Sequence, residues 1–318
     1  MIREKNCPSC NSFDIFKHGL EGEKKIFRNG EVEFIQDKYS IFKCQNCGLY
    51  FRSPTLTNEQ LNLHYATYDY NNLHHENSLF PPERFIKKYL LKRSNKKRET
   101  ILDYGCNEAL FLSLLVKDFD CFGFEIDERV KSVAESREII MLNSTDLKKS
   151  DNKYDYIILI DVFEHLKNPT ETISLLVLNL KKKGKLIIST GYADAKCCND
   201  NLAGYWYFAD CVQHLSMIGN DYINYLLKTF NLKILLQKSI SHYDETSNMN
   251  FIDRTKFYLK YKIFEGSRII NKVKILSDFI KLIPLIRKPL LWKSAPPKIP
   301  LKQKKMEQDH IILIFEKQ

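Results

Sequence analysis

Two groups of residues carry the chemistry legible in this 318-residue chain. The first is four cysteines in two Cys-x-x-Cys knuckles, Cys7 with Cys10 in CPSC and Cys44 with Cys47 in CQNCG. Each knuckle turns two thiolates toward one point, and two knuckles complete a tetrahedral site for Zn2+. Gly48 follows Cys47 directly, where the knuckle turn favours a residue free to take positive φ. A four-thiolate site is closed to substrate, so its role is structural, a clip that folds a small lid near the active site. Metal-free knuckles are the alternative; a redox role is disfavoured because no thioredoxin-like strand-helix unit surrounds either pair. The second group is the turn in ILDYGCNEALFLSLL, Ile101 to Leu115, followed by Glu125 at the end of CFGFEID. Gly105 lets the backbone turn tightly beside a ligand, and an acid about twenty residues on is placed to bind both hydroxyls of a ribose.

These side chains need a scaffold that presents strand ends to a ligand. From Glu99 onward short apolar runs alternate with helical periodicity, the pattern of a parallel sheet wrapped by helices. The strands expected are Thr100–Asp103, Cys121–Glu125, Tyr154–Ile160, Lys185–Ser189, Leu232–Gln237 and His310–Phe315, with helices at Leu110–Lys117, Asp127–Glu135, Pro169–Leu180 and Asp221–Thr229. The fold class is therefore α/β, a doubly wound sheet with helices on both faces, plus a small N-terminal zinc-ribbon-like module. The domain expectation is a four-cysteine module over residues 1–56, a helical linker or lid over 57–98, and the catalytic domain over 99–318. YSIFKC suits a strand before the second knuckle, residues Asn11 to Lys38 must leave and return as a hairpin or loop, and Thr57 with Gln60 has capping-box spacing. Tyr65 to Asn77, rich in Tyr, Asn and His, suits a loop.

A dinucleotide fingerprint keeps three glycines for a pyrophosphate, whereas Asn107 and Ala109 stand in two of those places here. S-adenosylmethionine has no phosphate, and its ammonium would welcome the acid Asp103. With these residues the string resembles the first motif of the class I S-adenosylmethionine-dependent methyltransferases, roughly Asp-x-Gly-Cys-Gly-x-Gly. YDYIILIDVFEHLKNP resembles the family's fourth-strand motif, and GKLIISTG its fifth strand. The resemblance implies that Asp103 and Gly105 hold the methionyl part, Glu125 the ribose, Ile126 an adenine face and Asp146 the adenine edge, with Asp161 lining the pocket near the methionine. Glu164 and His165 belong either to that motif or simply to the helix start that follows it. A scaffold that has lost catalysis, or a non-catalytic S-adenosylmethionine-binding protein, is the bland alternative.

The cysteine module, a Tyr-rich linker and the class I domain together resemble methyltransferases of sugar and surface-polysaccharide pathways, over most of the chain up to about Thr246. GYWYFADCVQHLSMIGNDYINYLL is similar to that family's run of aromatics, x-His-Leu and a helix start. His214 is then the candidate general base, because imidazole is poised near neutral pH and a sugar hydroxyl must lose its proton as it attacks the methyl. The competing role is a histidine bonded to backbone at a helix start. Relatives that methylate carbon carry Tyr-x-Glu-His here; Cys211 and Gln213 replace the phenol and carboxylate, which disfavours carbon methylation. Tyr65, Tyr68, Tyr70, Trp206 and Tyr207 either close over a sugar or pack the core. Cys106, Cys121, Cys197, Cys198 and Cys211 lack ligand spacing and are core or surface thiols.

Composition narrows the rest. With 44% apolar and 28% charged residues the chain has a globular balance, without an apolar run long enough for a membrane span. No apolar signal core opens the sequence, so a cytoplasmic location is expected. The net charge of +10 is local: Asp253 to Gln308 holds fifteen Lys or Arg against four acids, leaving the remainder near neutral. This insertion, about 245–308, lies between the last two strands, and Leu276, Phe279, Ile280 and Ile283 have helical spacing. It would dock to an anionic membrane or a lipid-linked saccharide, or pack on the domain with a solvated basic face; Pro284 and Pro289 interrupt it. A sugar-containing acceptor is the expected partner. Nucleic acid is disfavoured, and RNA methylation is kept as the rival activity.

Overall fold

The computed structural model describes residues 5–29, 32–67, 79–93, 98–149, 153–195, 198, 202–242 and 308–318. The basic insertion, with Tyr68, Tyr70 and Cys197, lies outside the described residues. The N-terminal part is built from strands β1 (Ile15–Gly22), β2 (Lys25–Asn29), β3 (Val32–Gln36), β4 (Tyr39–Cys44) and β5 (Tyr50–Ser53). The β2–β3 hairpin is the excursion that returns the chain between the two knuckles. Helix α1 (Asn58–Thr67) starts at the expected capping box: Gln60 N donates to Thr57 Oγ1 at 3.2 Å and Thr57 N to Gln60 Oε1 at 3.0 Å. The loop expected from Tyr65 begins later, because Tyr65, Ala66 and Thr67 complete the last turn of α1. Helix α2 (Pro81–Arg93) precedes the catalytic sheet and turns Ile86, Tyr89 and Leu90 inward.

The catalytic sheet has seven strands: β6 (Glu99–Tyr104), β7 (Phe119–Phe124), β8 (Ile140–Leu142), β9 (Tyr154–Ile160), β10 (Leu180–Gly191), β12 (Leu232–Ile240) and β13 (His310–Lys317). Their order is β12-β13-β10-β9-β6-β7-β8. β13 runs antiparallel to both of its neighbours, and the pairs from β10 through to β8 are parallel. YDYIILI and HIILIF are buried almost without interruption, as strands covered on both faces must be. The helices are α3 (Leu110–Ser113), α4 (Glu128–Glu135), α5 (Ser144–Lys148), α6 (Pro169–Asn179), α7 (Trp206–Ala209) and α8 (Asn220–Thr229). Asp127 caps α4, accepting from Arg129 N at 3.0 Å. Pro169 opens α6, where its missing N–H costs nothing. The strands expected at 100–103, 121–125, 154–160, 185–189, 232–237 and 310–315 are all present; β8 and α5 were not anticipated. Several boundaries differ, and Glu125 lies just past β7 rather than within it. The first helix after β6 lasts one turn before dissolving into turns up to Asp118, and the stretch Lys181–Gly184, ahead of the strand start expected at Lys185, is an irregularity inside β10, with Lys183 at φ 65°. Among the described residues, no helix is long and apolar enough to cross a membrane.

The two parts share one sheet and one core. β5 pairs with β11 (Ser216–Met217), so the sheet β1-β4-β5-β11 begins in the cysteine segment and ends between β10 and α8. Cys7, Tyr39, Ile41, Leu49 and Phe51 pack into the same buried cluster as Ile157, Leu159, Leu186 and Ile188. Arg52 is the pin. It is 2% exposed, stacks on the Tyr39 ring at 4.4 Å, and donates to the carbonyls of Cys211 (3.0 Å), Val212 (2.8 Å) and Phe208. Burial lowers its pKa to about 10, which leaves it charged at neutral pH. Arg52→Ala strands these buried acceptors and is expected to cost about 3 kcal/mol or more of unfolding free energy. Urea titration measures this, and a loss below about 1 kcal/mol would contradict it.

Candidate functional site

The carboxyl ends of β6, β7 and β9 meet where the strand order reverses, the position at which open α/β sheets hold ligands. Asp103 is paired to Gly123 on one side and Ile158 on the other, and its side chain is buried. Burial pushes its carboxyl well above the usual range, and the two neighbouring charges, Glu83 and Glu125, push it the same way. Glu83 comes from α2, where it is buried and accepts from Phe80 N at 2.6 Å. Nothing in its local sequence separated it from an ordinary helix N-terminal acid, which is why sequence reading passed over it.

The turn after β6 needs left-handed backbone at three places. Gly105 sits at φ +85°, and a Cβ there would approach Val162 Cγ2 to 2.5 Å. Asn107 (φ 49°) and Ala109 (φ 54°) occupy the family's other glycine positions. Asn tolerates this conformation; Ala109 carries a strain of about 1–2 kcal/mol. Glu125 stabilises the turn: Asn107 N donates to Oε2 at 2.9 Å, and Ile126 N and Asp127 N donate to Oε1 at 2.7 and 3.0 Å. Beside it Ile126 is 72% exposed, a large apolar side chain left uncovered at the site's rim. Asp146 lies on α5 after β8. Its carboxylate accepts from Asn143 N at 3.1 Å and pairs with Lys149 at 3.0 Å, and these partners hold it below the ordinary carboxylate range, the Asn143 amide most.

Behind the turn lies a buried polar network. Asp161, at φ 54° just past β9, faces His310 Nε2 at 3.7 Å and His242 Nδ1 at 3.5 Å. Burial raises Asp161 to about 7 against the opposing pull of His310. For His310 burial opposes the charge, but Asp309, Asp161 and Glu164 outweigh it and raise the imidazole to about 9. Neither histidine was anticipated. The available signal was topological: an antiparallel last strand starts at the carboxyl edge, so its first residue and the residue just past β12 both land there.

Glu164 is buried and accepts from Thr190 Oγ1 at 2.8 Å, so it does not cap α6, whose cap residue is Asn168. His165 Nδ1 lies 3.1 Å from Tyr65 Oη and 3.2 Å from the Gln213 carbonyl. His214 is buried, with Nδ1 2.8 Å from the Tyr207 carbonyl and its ring 4.9 Å from that of His165. Its bond is thus to backbone, at the Tyr207 carbonyl in the short helix α7. Tyr207 is wholly buried and packs on His214 at 4.3 Å.

The four knuckle sulfurs lie within 4.8 Å of one another, Cys7 to Cys47 and Cys10 to Cys44 each at 3.5 Å. Sulfurs about 2.3 Å from a tetrahedral zinc stand about 3.8 Å apart, so the donor set and spacing fit that ion. Gly48 has the anticipated positive φ, +78°, and a Cβ there would come within 2.3 Å of Asp221 Cβ. Cys106, Cys121 and Cys198 are buried core thiols, and Cys211 is half-buried.

The sheet order with this crevice defines a Rossmann-like class I methyltransferase fold. The chain belongs to the methyltransferase-domain family, whose profile matches residues 73–237. Among curated proteins it is 34% identical over 98 residues to a ubiquinone biosynthesis O-methyltransferase of Rickettsia bellii, covering 28% of this chain. The chain spans 41% of the length of the curated relatives it matches. Solved structures similar to it include a SAM-dependent methyltransferase from Archaeoglobus fulgidus, at 16% identity and TM-score 0.41, covering 82% of this chain and 100% of that one. Another is coclaurine N-methyltransferase bound to N-methylheliamine and SAH, at 13% identity and TM-score 0.44, covering 77% and 73%.

The histidine pair makes stability pH-dependent. Burial lowers His165 to about 4 and His214 well below the ordinary range, His165 and Arg52 adding to the second shift. The unfolded imidazoles bind protons below about 6.5 while the folded ones stay neutral. Stability from this source is therefore complete above that pH and falls as pH drops through it. Removing one such group, in His165→Asn, should shrink the loss of unfolding free energy between pH 7.5 and 5 by about 1–2 kcal/mol. Urea titrations at the two pH values measure the difference, and an unchanged loss would refute the assignment.

Proposed function

We propose that the chain is an S-adenosylmethionine-dependent methyltransferase that O-methylates a sugar hydroxyl, in a nucleotide sugar or a surface glycan. The observation that carries this reading is the acid cluster at the strand ends. Asp103 is buried with Glu83 and Glu125 as its neighbouring charges, a setting that suits a cationic group of a ligand. The methionyl ammonium of S-adenosylmethionine is such a group, and the bound cofactor supplies an electrophilic methyl on a sulfonium. In this reading Asp103 and the Gly105 turn hold the methionyl end, and Asp161 lines the pocket beside it. Glu125 takes a ribose hydroxyl on the one Oε2 acceptor site that its three amides leave. Ile126 covers one adenine face, and Asp146 meets the adenine edge at the rim.

The acceptor hydroxyl must lose a proton as it attacks. His214 suits this task because its Nδ1 faces a carbonyl, which assigns the proton there and leaves Nε2 as the acceptor. Burial keeps it neutral throughout the physiological range. Oxygen as the acceptor atom is supported by the curated relative's description as an O-methyltransferase. A sugar is supported by the resemblance to polysaccharide methyltransferases and by Tyr65, which reaches His165 from α1 and offers an aromatic face. Cys7, Cys10, Cys44 and Cys47 hold Zn2+ as a structural clip in this proposal, and residues 253–308 are left for contact with an anionic membrane or a lipid-linked saccharide.

Two measurements test it. Calorimetric titration with S-adenosylmethionine should show binding that Glu125→Ala weakens about 30–100-fold, the equivalent of one charged hydrogen bond together with the turn it holds. No binding at millimolar ligand would return the fold to a scaffold role. With a sugar acceptor found by screening nucleotide sugars, His214→Ala should slow turnover about 10²–10⁴-fold at unchanged cofactor affinity. Equal turnover would remove His214 from the reaction.

A further inference from the structure

The carboxyl edge of the sheet gathers a second set of ligand-type side chains, separate from the four cysteines. We propose that Asp161, His242 and His310 form a binding site for a divalent ion of the zinc class, set where the acceptor hydroxyl meets the methyl group. Topology brings the three together: Asp161 follows β9, His242 follows β12, and the antiparallel β13 begins at His310, opposite Gly191 and Ile240. One donor atom from each lies within 4.8 Å of the other two. Asp161 Oδ2 lies 3.5 Å from His242 Nδ1, and Asp161 Oδ1 lies 3.7 Å from His310 Nε2. Both are longer than a good hydrogen bond, and both are near the roughly 3.4 Å that separates tetrahedral ligands held about 2.1 Å from a metal.

Three further features favour an ion. Asp309 stands on the outer side of His310, its Oδ1 3.3 Å from Nδ1. Asp309 is itself held, accepting from His242 N at 3.0 Å and from Tyr205 Oη at 3.0 Å. That places an acid where a carboxylate–histidine–metal arrangement has one, on the ring nitrogen away from the ion. Among the described residues neither Asp161 nor Asp309 pairs with Lys or Arg, and the ion pairs of both acids are with histidines. Asp161 Oδ1 is buried with no hydrogen-bond partner among the described residues, and its left-handed backbone is a strain that a non-glycine residue keeps only where its surroundings impose it. Two imidazoles and one carboxylate suit zinc-class ions over magnesium or calcium, and three protein ligands leave one position open.

The role of that position rests on the methyl-transfer reading. A hydroxyl bound there would give up its proton nearer neutral pH. Its oxygen then forms the bond to the methyl carbon as the carbon–sulfur bond breaks; the sulfonium becomes a neutral thioether and the proton leaves through His214.

Zn2+ alone is the probe. Full-length wild type, His310→Ala, His242→Gln and Asp309→Asn are dialysed against Zn2+, and metal per chain is read by mass spectrometry, with circular dichroism confirming the fold. Whatever the cysteines hold is common to all four proteins. The ligand variants should therefore carry about one ion fewer than wild type, and Asp309→Asn should weaken that second ion about 10–100-fold. Zinc content equal in wild type and in folded His310→Ala and His242→Gln overturns the site. Calorimetry with S-adenosylmethionine on the same samples judges the methyltransferase reading independently, since the metal difference between proteins does not depend on cofactor binding.

Discussion

The arrangement depends on the backbone pairing of β6 with β7 on one side and β9 on the other. Through it Asp103 stands in register with Gly123 and Ile158, so three strand ends release Asp103, Glu125 and Asp161 on one edge of the sheet. Parallel pairing makes all three ends face the same way, and the reversal of strand order opens a crevice between them. Glu125 then anchors the turn after β6 through three backbone amides, so the residue proposed to meet a ribose also shapes that loop.

The N-terminal segment is joined to this sheet by backbone, charge and core at once. β5 adds to β11, Arg52 binds the carbonyls around α7, and Lys43 reaches Asp221 on α8 at 2.7 Å. Ser9, between the first two cysteines, bonds Tyr222 on α8 at 3.0 Å. Ordering the knuckles therefore orders the surface that carries α8 and the stretch leading to His214. This gives a closed thiolate cluster a physical connection to a site it does not itself line.

Electrostatics divides the edge in two. Around Asp103 the neighbouring charges are acids, and a cationic ligand relieves them. Around Asp161 the acids are answered by histidines, which are charged only when they take up a proton. His165 and His214 lie beyond, where burial strips them of charge. The same residue type thus serves opposite states a few ångströms apart, according to whether carboxylates or apolar surroundings dominate.

Much of this was legible along the chain. The knuckle spacing, the strand-turn-helix around Gly105, the acid at Glu125 and the six principal strands are local patterns, set by period, turn chemistry and the spacing of ligand-type residues. The capping box at Thr57 is local for the same reason. What tertiary structure alone decided depends on pairings between distant segments. Glu83 comes near Asp103 because α2 packs Ile86 and Leu90 against the strands of the sheet; His242 and His310 meet because β13 runs against its neighbours. Arg52 becomes a buried pin because β5 finds β11. Sequence carries the identity of each of these side chains, but their partners, burial and charge state come from contacts that no short window of sequence contains.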